Sequence, residues 1–155
     1  LWSAVTNGVV DIIGSDHAPH TLDSKRQDYP NSPSGMTGVQ TTVPVMLNHV
    51  ASGRLSLSTI IDLMCEGPQR IFGLINKGRI AAGYDADLTI VDTAAKRKIE
   101  NSWIASKAGW SPYDGQEVTG WPVATIIDGN VVMQEGELVS SPVGKPFRFQ
   151  EVVYS

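Results

Sequence analysis

An apolar run ends in a polar turn at Val9-Val10-Asp11-Ile12-Ile13-Gly14-Ser15-Asp16-His17-Ala18-Pro19-His20. The apolar run predicts a buried strand, and the ring of Pro19 stiffens the turn that follows it. A carboxylate and two imidazoles at the end of a strand are typical of an active site at the carboxyl edge of a parallel sheet. The candidate site residues are therefore Asp16, His17 and His20.

Asp16 is a candidate for a metal ligand and for a general base, because a carboxylate at a strand end can serve as either. A lone aspartate there is very often only a turn or helix cap, and the neighbouring histidines favour the functional interpretation. A zinc site takes about three or four protein ligands, and the only further histidine is His49. A metal bound by Asp16 would therefore draw most of its other ligands from outside this chain.

The composition is that of a globular protein. The chain has 155 residues, 41% hydrophobic and 18% charged, and its net charge of -4 predicts no surface for nucleic acid. No apolar run approaches the ~20 residues that cross a bilayer, so no membrane span is expected. The single cysteine, Cys65, forms no internal disulfide, which is compatible with a cytoplasmic location. Because the sequence begins with Leu1 and runs straight into a predicted element, we expect a piece of a longer protein.

The pattern of the chain changes near residue 76. Before it, apolar periodicity predicts the end of a helix closed by Gly8, the strand, a long loop and three helices. The loop covers Thr21–Gly38, and the helices cover Val39–Ser52, Ser58–Glu66 and Gln69–Phe72. After it, helical periodicity disappears. Ala86–Asp92 predicts a strand, and Asp128-Gly129-Asn130 predicts a hairpin. We therefore divide the chain into an α/β part, residues 1–76, and a small all-β part, residues 77–155.

Three segments resemble a known family. Ser15-Asp16-His17-Ala18-Pro19-His20 and Ser32-Pro33-Ser34-Gly35-Met36-Thr37-Gly38-Val39-Gln40-Thr41 resemble the last barrel strand and following loop of dihydroorotases. Dihydroorotases are cyclic amidohydrolases of the amidohydrolase superfamily. Gly83-Tyr84-Asp85-Ala86-Asp87-Leu88-Thr89-Ile90-Val91-Asp92 resembles the signature of that superfamily's β domain. The first two segments are specific to the family, the third only to the superfamily, and the resemblance covers nearly the whole chain.

The resemblance implies a metal-dependent (β/α)8 (TIM) barrel and a small composite β-sandwich domain. Such a barrel takes about 250 residues, more than this chain contains. The expected fold class is thus α/β, as the C-terminal part of both domains. Residues 1–76 would supply the last strand, the active-site loop and helices of the barrel, and residues 77–155 the C-terminal segment of the sandwich. The first metal motif, a carboxylated lysine and the other metal-binding histidines of the family are expected upstream.

The resemblance also implies roles for individual residues. Asp16 would ligate one or two zinc ions and act as the general base, taking a proton from the attacking water and returning it to the leaving nitrogen. His20 would hydrogen-bond the carboxylate of the substrate, and the backbone of Pro33 and Gly35 would contact the amide edge of its ring. Gly35 suits that role, since a missing Cβ lets the backbone approach a ligand closely. His17 would have a structural role, or would support the residues that bind the metal and the substrate.

The expected substrate is dihydroorotate, interconverted with N-carbamoyl-L-aspartate in de novo pyrimidine biosynthesis. Hydantoinases and dihydropyrimidinases usually carry an apolar residue where this chain has His20, and allantoinases carry a small one. A cation-capable imidazole suits an anionic ring. The alternatives are another cyclic amidohydrolase, allantoinase-like or dihydropyrimidinase-like, and a non-catalytic scaffold for a partner such as aspartate carbamoyltransferase. A homo-oligomer is compatible with each, and the 155-residue chain alone is expected to be inactive.

Overall fold

The computed structural model describes residues 1–141 and 143–150, which form two compact units. Unit 1 combines Leu1–Ile13, Gly53–Asp92 and the described residues from Pro122 onward. Unit 2 combines Gly14–Ser52 with Thr93–Trp121. The division at residue 76 concerns the domains of a longer fold and stays a prediction. Residue 142 and residues 151–155 of the predicted all-β part lie outside the described residues.

The secondary structure is mixed α/β, as predicted. The helices are α1 (Trp2–Thr6), α2 (Leu22–Lys25), α3 (Thr42–Ala51), α4 (Leu57–Ile61) and α5 (Gly67–Phe72), with a π-helical turn at Asp62–Glu66 and a 3₁₀ turn at Asn101–Trp103. The strands are β1 (Leu88–Lys98), β2 (Glu117–Ile127), β3 (Asn130–Gln134) and β4 (Glu137–Leu138). None of the described helices is long and apolar enough to cross a membrane.

The strands form one sheet in the order β1-β2-β3-β4. The predicted hairpin is confirmed, because β2 pairs antiparallel with β3 and Ile127 lies opposite Asn130. Its two turn residues, Asp128 and Gly129, have φ values of 50° and 78°. Two positive φ values in a two-residue turn match the right-handed twist of the flanking strands. The predicted strand Ala86–Asp92 is confirmed from Leu88 onward, and β1 continues beyond it to Lys98.

The core of unit 2 is built on β2. Ile99, Val118 and Trp121 are buried together, and the rings of Trp103 and Trp121 lie 4.5 Å apart. Gly120 lets α3 approach this strand, because a Cβ at that position would lie 2.4 Å from the Cβ of Leu47. Apolar packing thus fixes the helix that follows the predicted site loop.

The helical part of unit 1 is more continuous than predicted. Ser56 caps α4 through a hydrogen bond from the Thr59 N–H at 3.0 Å, as expected for an N-cap serine. The predicted break at Gly67-Pro68 is wrong, because the π-helical turn leads directly into α5 and Pro68 lies in its first turn. The predicted end of the last helix at Phe72 is confirmed, and Gly73 follows it in the left-handed conformation.

Two predictions for the N-terminal part differ from the structure. Residues 9–13 form no strand, and Val9 is 71% exposed. A strand needs a neighbouring strand as hydrogen-bond partner, whereas the N–H groups of Val9 and Ile13 donate to the carbonyls of Ala4 and Leu63. The segment Thr21–Gly38 is not a plain loop, because it contains α2, capped by the Thr21 side chain.

Candidate functional site

Asp16 lies in the turn that opens unit 2, and its side chain is exposed. Its φ of 43° falls in the left-handed region, which aspartate enters more readily than most residues because its short side chain bonds locally. Because Asp16 is exposed, its carboxylate is accessible to a ligand.

His17 connects the turn to the loop around Gly38. Its Nδ1 accepts hydrogen bonds from the backbone N–H of Gly38 at 3.0 Å and of Val39 at 3.4 Å. A neutral imidazole that accepts at Nδ1 carries its proton on Nε2, so the ring can donate from its other side. The supporting role predicted for His17 stays a prediction, as does a metal or substrate nearby.

The turn and the loop also meet through their backbones. The Ala18 N–H donates to the Met36 carbonyl at 3.0 Å, and His17 forms a parallel bridge with Met36. Gly35 has a φ of 97°, and a Cβ there would lie 2.6 Å from the Cβ of Ala18. Glycine is therefore required at residue 35 by the protein's own packing. Its predicted contact with a substrate stays a prediction.

The backbone of Pro33 is held by Lys25, a residue of the same loop. Lys25 Nζ donates to the Pro33 carbonyl at 2.6 Å, and the Ser32 hydroxyl donates to the Lys25 carbonyl at 2.9 Å. Pro33 has no N–H, so any substrate contact through its backbone must use the second lone pair of this carbonyl. The spacing of Lys25 and Pro33 carried no signal that could have revealed the bond.

His20 is half-buried, and its backbone is held from a distant part of the chain. The indole N–H of Trp110 donates to the His20 carbonyl at 2.7 Å. The Trp110 carbonyl in turn accepts a hydrogen bond from the hydroxyl of Thr37, which is only 3% exposed. Trp110 and Thr37 are contributors that sequence reasoning missed, because the bonds cross 90 and 73 positions of sequence.

A cavity of about 230 Å³ lies beside His17 in unit 2. It is lined by His17, residues 37–41 and residues 104–106. Gln40 fixes one wall, since its amide donates to the Trp103 carbonyl at 2.7 Å and accepts from the Ala105 N–H at 2.8 Å. Asp16 and His20 are not lining residues of this cavity, so it is not by itself the predicted substrate pocket.

The described residues do not contain a complete metal site. Among residues 1–141 and 143–150, no group of three or more His, Cys, Asp or Glu side chains could hold a metal ion. A zinc ion takes about three or four protein ligands, and the turn offers one exposed carboxylate. Asp16 can thus contribute to a metal site that other residues complete, but this part of the chain does not form one alone.

The densest charge cluster lies elsewhere, in unit 1. Lys77 Nζ contacts the carboxylates of Asp85, at 3.0 Å, and Asp87, and the other Asp87 oxygen accepts the Asp128 N–H at 2.7 Å. The hydrogen bond from Lys77, followed by that from the Asp128 backbone, lowers the pKa of Asp87. These groups satisfy one another around a second cavity of about 530 Å³, so they form a structural network.

The sequence matches one family model and many known proteins. The model of the Amidohydrolase family matches residues 1–132. A dihydroorotase from Methanothermobacter thermautotrophicus is 43% identical over 84% of this chain and 30% of its own length. A dihydroorotase from Pyrococcus furiosus is 41% identical over 94% of this chain and 33% of its own length. An L-hydantoinase from Paenarthrobacter aurescens is 40% identical over 90% and 31%.

Solved structures show the same relationship. The L-hydantoinase (dihydropyrimidinase) from Arthrobacter aurescens superposes with a TM-score of 0.85 at 39% identity, covering 90% of this chain and 32% of that one. A D-hydantoinase superposes with a TM-score of 0.83 at 33% identity, covering 89% and 31%. The chain spans about a third of the length of the relatives that it matches, and it matches their C-terminal part. Among these relatives are dihydroorotases and hydantoinases, and the match to the family model shows that this chain belongs to the amidohydrolase family.

Proposed function

We propose that this chain is the C-terminal part of a longer zinc-dependent dihydroorotase, which interconverts dihydroorotate and N-carbamoyl-L-aspartate. The observation that carries the proposal is the turn itself, where an exposed Asp16 and a half-buried His20 lie four residues apart. Several dihydroorotases at 37–43% identity add support. A location in the cytoplasm and a small-molecule substrate belong to the same proposal.

The reaction needs a base that can also act as an acid. In the hydrolytic direction, water adds to the ring amide carbon, the C–N bond breaks, and the leaving nitrogen takes up a proton. Asp16 would accept the proton from the attacking water and return it to that nitrogen. Zinc, when bound, supplies activation of the nucleophile and polarisation of the carbonyl. Asp16 would be one of its ligands, and the remaining ligands would lie upstream of this chain.

His20 would recognise the carboxylate on the substrate ring. An imidazole donates a hydrogen bond to a carboxylate, and its protonated form adds charge attraction. Hydantoin and dihydrouracil lack that carboxylate, so His20 would distinguish dihydroorotate from them. The Pro33 carbonyl and the Gly35 N–H would meet the amide edge of the ring, and His17 would keep their loop against the turn.

The proposal also explains why residues 9–13 have the sequence of a strand but form none in this chain. Residues 9–13 would be the last strand of a (β/α)8 barrel, paired with strands of the longer protein. Residues 1–76 would complete that barrel, and residues 77–155 would complete a β-sandwich. A parallel strand buried on both faces has a nearly continuous apolar sequence, and this segment is apolar except at Asp11.

The second candidate function is that of another cyclic amidohydrolase, of the hydantoinase, dihydropyrimidinase or allantoinase type. It is favoured by the 40% identity to an L-hydantoinase and by the TM-score of 0.85 to a related structure. A non-catalytic scaffold that binds aspartate carbamoyltransferase is a third reading, and the presence of both Asp16 and His20 speaks against it. Either enzyme could act as a homo-oligomer.

A substrate panel tests the proposal on the complete gene product, purified with its metal. We expect turnover of dihydroorotate and N-carbamoyl-L-aspartate, and much slower or no turnover of hydantoin and dihydrouracil. Turnover of hydantoin or dihydrouracil without turnover of dihydroorotate would replace dihydroorotase with the second candidate. No turnover of any cyclic amide, with stable binding of aspartate carbamoyltransferase, would favour the scaffold.

Two variants separate the roles of the site residues. Asp16→Asn should nearly abolish turnover, because an amide cannot accept the proton. His20→Ala should raise KM for dihydroorotate and leave the zinc content, measured by elemental analysis, unchanged. An equal loss of zinc in His20→Ala would show that His20 acts at the metal and not at the substrate.

A further inference from the structure

We propose that Trp110 is a positioning residue for His20 and thereby helps to set the preference for a substrate that bears a carboxylate. This inference depends on the proposed function of His20. Trp110 does not need to touch the substrate, since its indole N–H acts on the His20 carbonyl at 2.7 Å. The effect would reach the substrate only through the imidazole of His20.

The bond from Trp110 closes a ring of hydrogen bonds within unit 2. Trp110 holds His20, the Thr37 hydroxyl holds the Trp110 carbonyl, and the Met36 carbonyl accepts the Ala18 N–H. The ring begins and ends in the turn that carries the candidate site. Without the indole N–H, the turn would keep its contact with Met36 but would lose the contact at His20.

Trp110 is itself well anchored on its far side. The next residue, Ser111, is 5% exposed, and its N–H donates to the side-chain carbonyl of Asn101 at 2.7 Å. The Asn101 N–H in turn donates to Asp114 Oδ1 at 2.8 Å. A donor on a fixed segment holds its acceptor more effectively than a donor on a free loop, because less conformational entropy is lost when the bond forms.

The backbone around His20 leaves few ways to compensate for a lost bond. Pro19 fixes its own φ on one side. On the other side Thr21 caps α2, accepting from the Ser24 N–H at 3.3 Å. The His20 carbonyl lies between these two constrained neighbours. Without the bond from Trp110, the backbone angles of His20 could change and redirect its Cα–Cβ bond.

A double-mutant cycle on the complete gene product tests the inference. Trp110→Phe removes the indole N–H and keeps an aromatic ring. We expect KM for dihydroorotate to rise about 3- to 10-fold, the range that loss of one hydrogen bond gives, with kcat within about twofold. In a His20→Ala background, the same substitution should change KM no further, because the imidazole that it positions is gone.

Three further measurements complete the design. Trp2→Phe, a matched substitution on α1, should leave KM unchanged. Melting temperatures and zinc contents of all variants report whether the fold and the metal are kept. If Trp110→Phe unfolds the protein, Thr37→Val provides the same cycle with a smaller expected effect, since it removes the donor to the Trp110 carbonyl.

The outcomes separate the inference from the proposed function. An unchanged KM in Trp110→Phe, or an equal rise with and without His20, would overturn the positioning role while dihydroorotate turnover and its dependence on His20 stand. If the parent enzyme does not turn over dihydroorotate, or if His20→Ala does not affect KM, the proposed function itself fails. Coupling between the two substitutions supports the inference.

Discussion

The imidazole of His17 receives the backbone N–H of Gly38 on its Nδ1 atom, at a distance of 3.0 Å. The two residues belong to different loops of unit 2, 21 positions apart in sequence. One side chain thus replaces the backbone partner that a regular element would give to Gly38. The candidate turn and the candidate substrate loop move together for as long as this bond is made.

Replacement of His17 should destabilise the loop around Gly38, and the loss should be smaller when the new side chain still offers a hydrogen-bond acceptor. His17→Ala leaves the Gly38 N–H without its partner and should lower the free energy of unfolding by about 1 kcal/mol. His17→Asn places a carbonyl oxygen near the position of Nδ1 and should recover part of that loss. Hydrogen exchange at the Gly38 and Val39 amides checks this directly. Equal protection in His17→Ala and in the wild type would show that the bond is not maintained in solution.

Gly35→Ala should be much more harmful than an alanine at another glycine with positive φ. At Gly35 a Cβ would lie 2.7 Å from the Ala18 carbonyl oxygen, so strain adds to the unfavourable φ. We expect a loss of about 2–5 kcal/mol. Gly8→Ala is the control, because no atom lies within 4 Å of its added Cβ, and should cost about 1 kcal/mol. Urea unfolding measures both, and similar losses would contradict the packing argument.

A carboxylate at residue 40 should destabilise the protein in a pH-dependent way. In Gln40→Glu one oxygen still accepts the Ala105 N–H, but the other faces the Trp103 carbonyl without a proton. We expect a loss of about 1–3 kcal/mol at pH 7. The loss should shrink as the pH falls and the new carboxyl group becomes protonated, since it can then donate to that carbonyl. Gln40→Met, which lacks both bonds at every pH, is the control and should show no such recovery.

The Asp87 network should give the protein a measurable acid dependence. The pKa of Asp87 is lowered by the hydrogen bond from Lys77 and then by that from the Asp128 N–H. A lowered folded pKa means that the stabilisation is present above the unfolded pKa of about 3.9 and is lost as pH falls through the folded value. Asp87→Asn removes the charge and keeps an acceptor. The stability difference between wild type and Asp87→Asn should therefore narrow below pH 4, and a constant difference would refute the assignment.

Local chemistry was enough to predict several elements. Asp128-Gly129 predicts a tight hairpin because two residues that tolerate positive φ lie between β-forming runs, and that hairpin is present. The helical region begins after Ser56 and ends at Gly73, and serine and glycine are residue types that favour these two positions. The strand predicted at residues 9–13 is absent for a different reason. Its apolar run indicates burial, but a strand also requires partners that lie outside the segment.

The sequence was enough to predict which residues belong to the candidate site, but not how the rest of the chain holds them in position. Asp16, His17 and His20 stand out because a carboxylate and two imidazoles crowd one turn. The sequence does not reveal the bonds from Lys25 to Pro33 and from Trp110 to His20. The first depends on how one loop folds over eight positions, and the second joins segments 90 positions apart. Gly35 shows the same limit, because a glycine can serve a ligand or a neighbouring backbone and only the position of Ala18 distinguishes them.

The bond from Trp110 to His20 also sets an order of events during synthesis. It spans 90 positions, so the chain must emerge from the ribosome beyond residue 110 before the His20 carbonyl has its partner. Closing so long a loop costs entropy that only the finished core of unit 2 can offset. A nascent or truncated chain that ends before Trp110 therefore contains every residue of the candidate turn and still lacks its final shape.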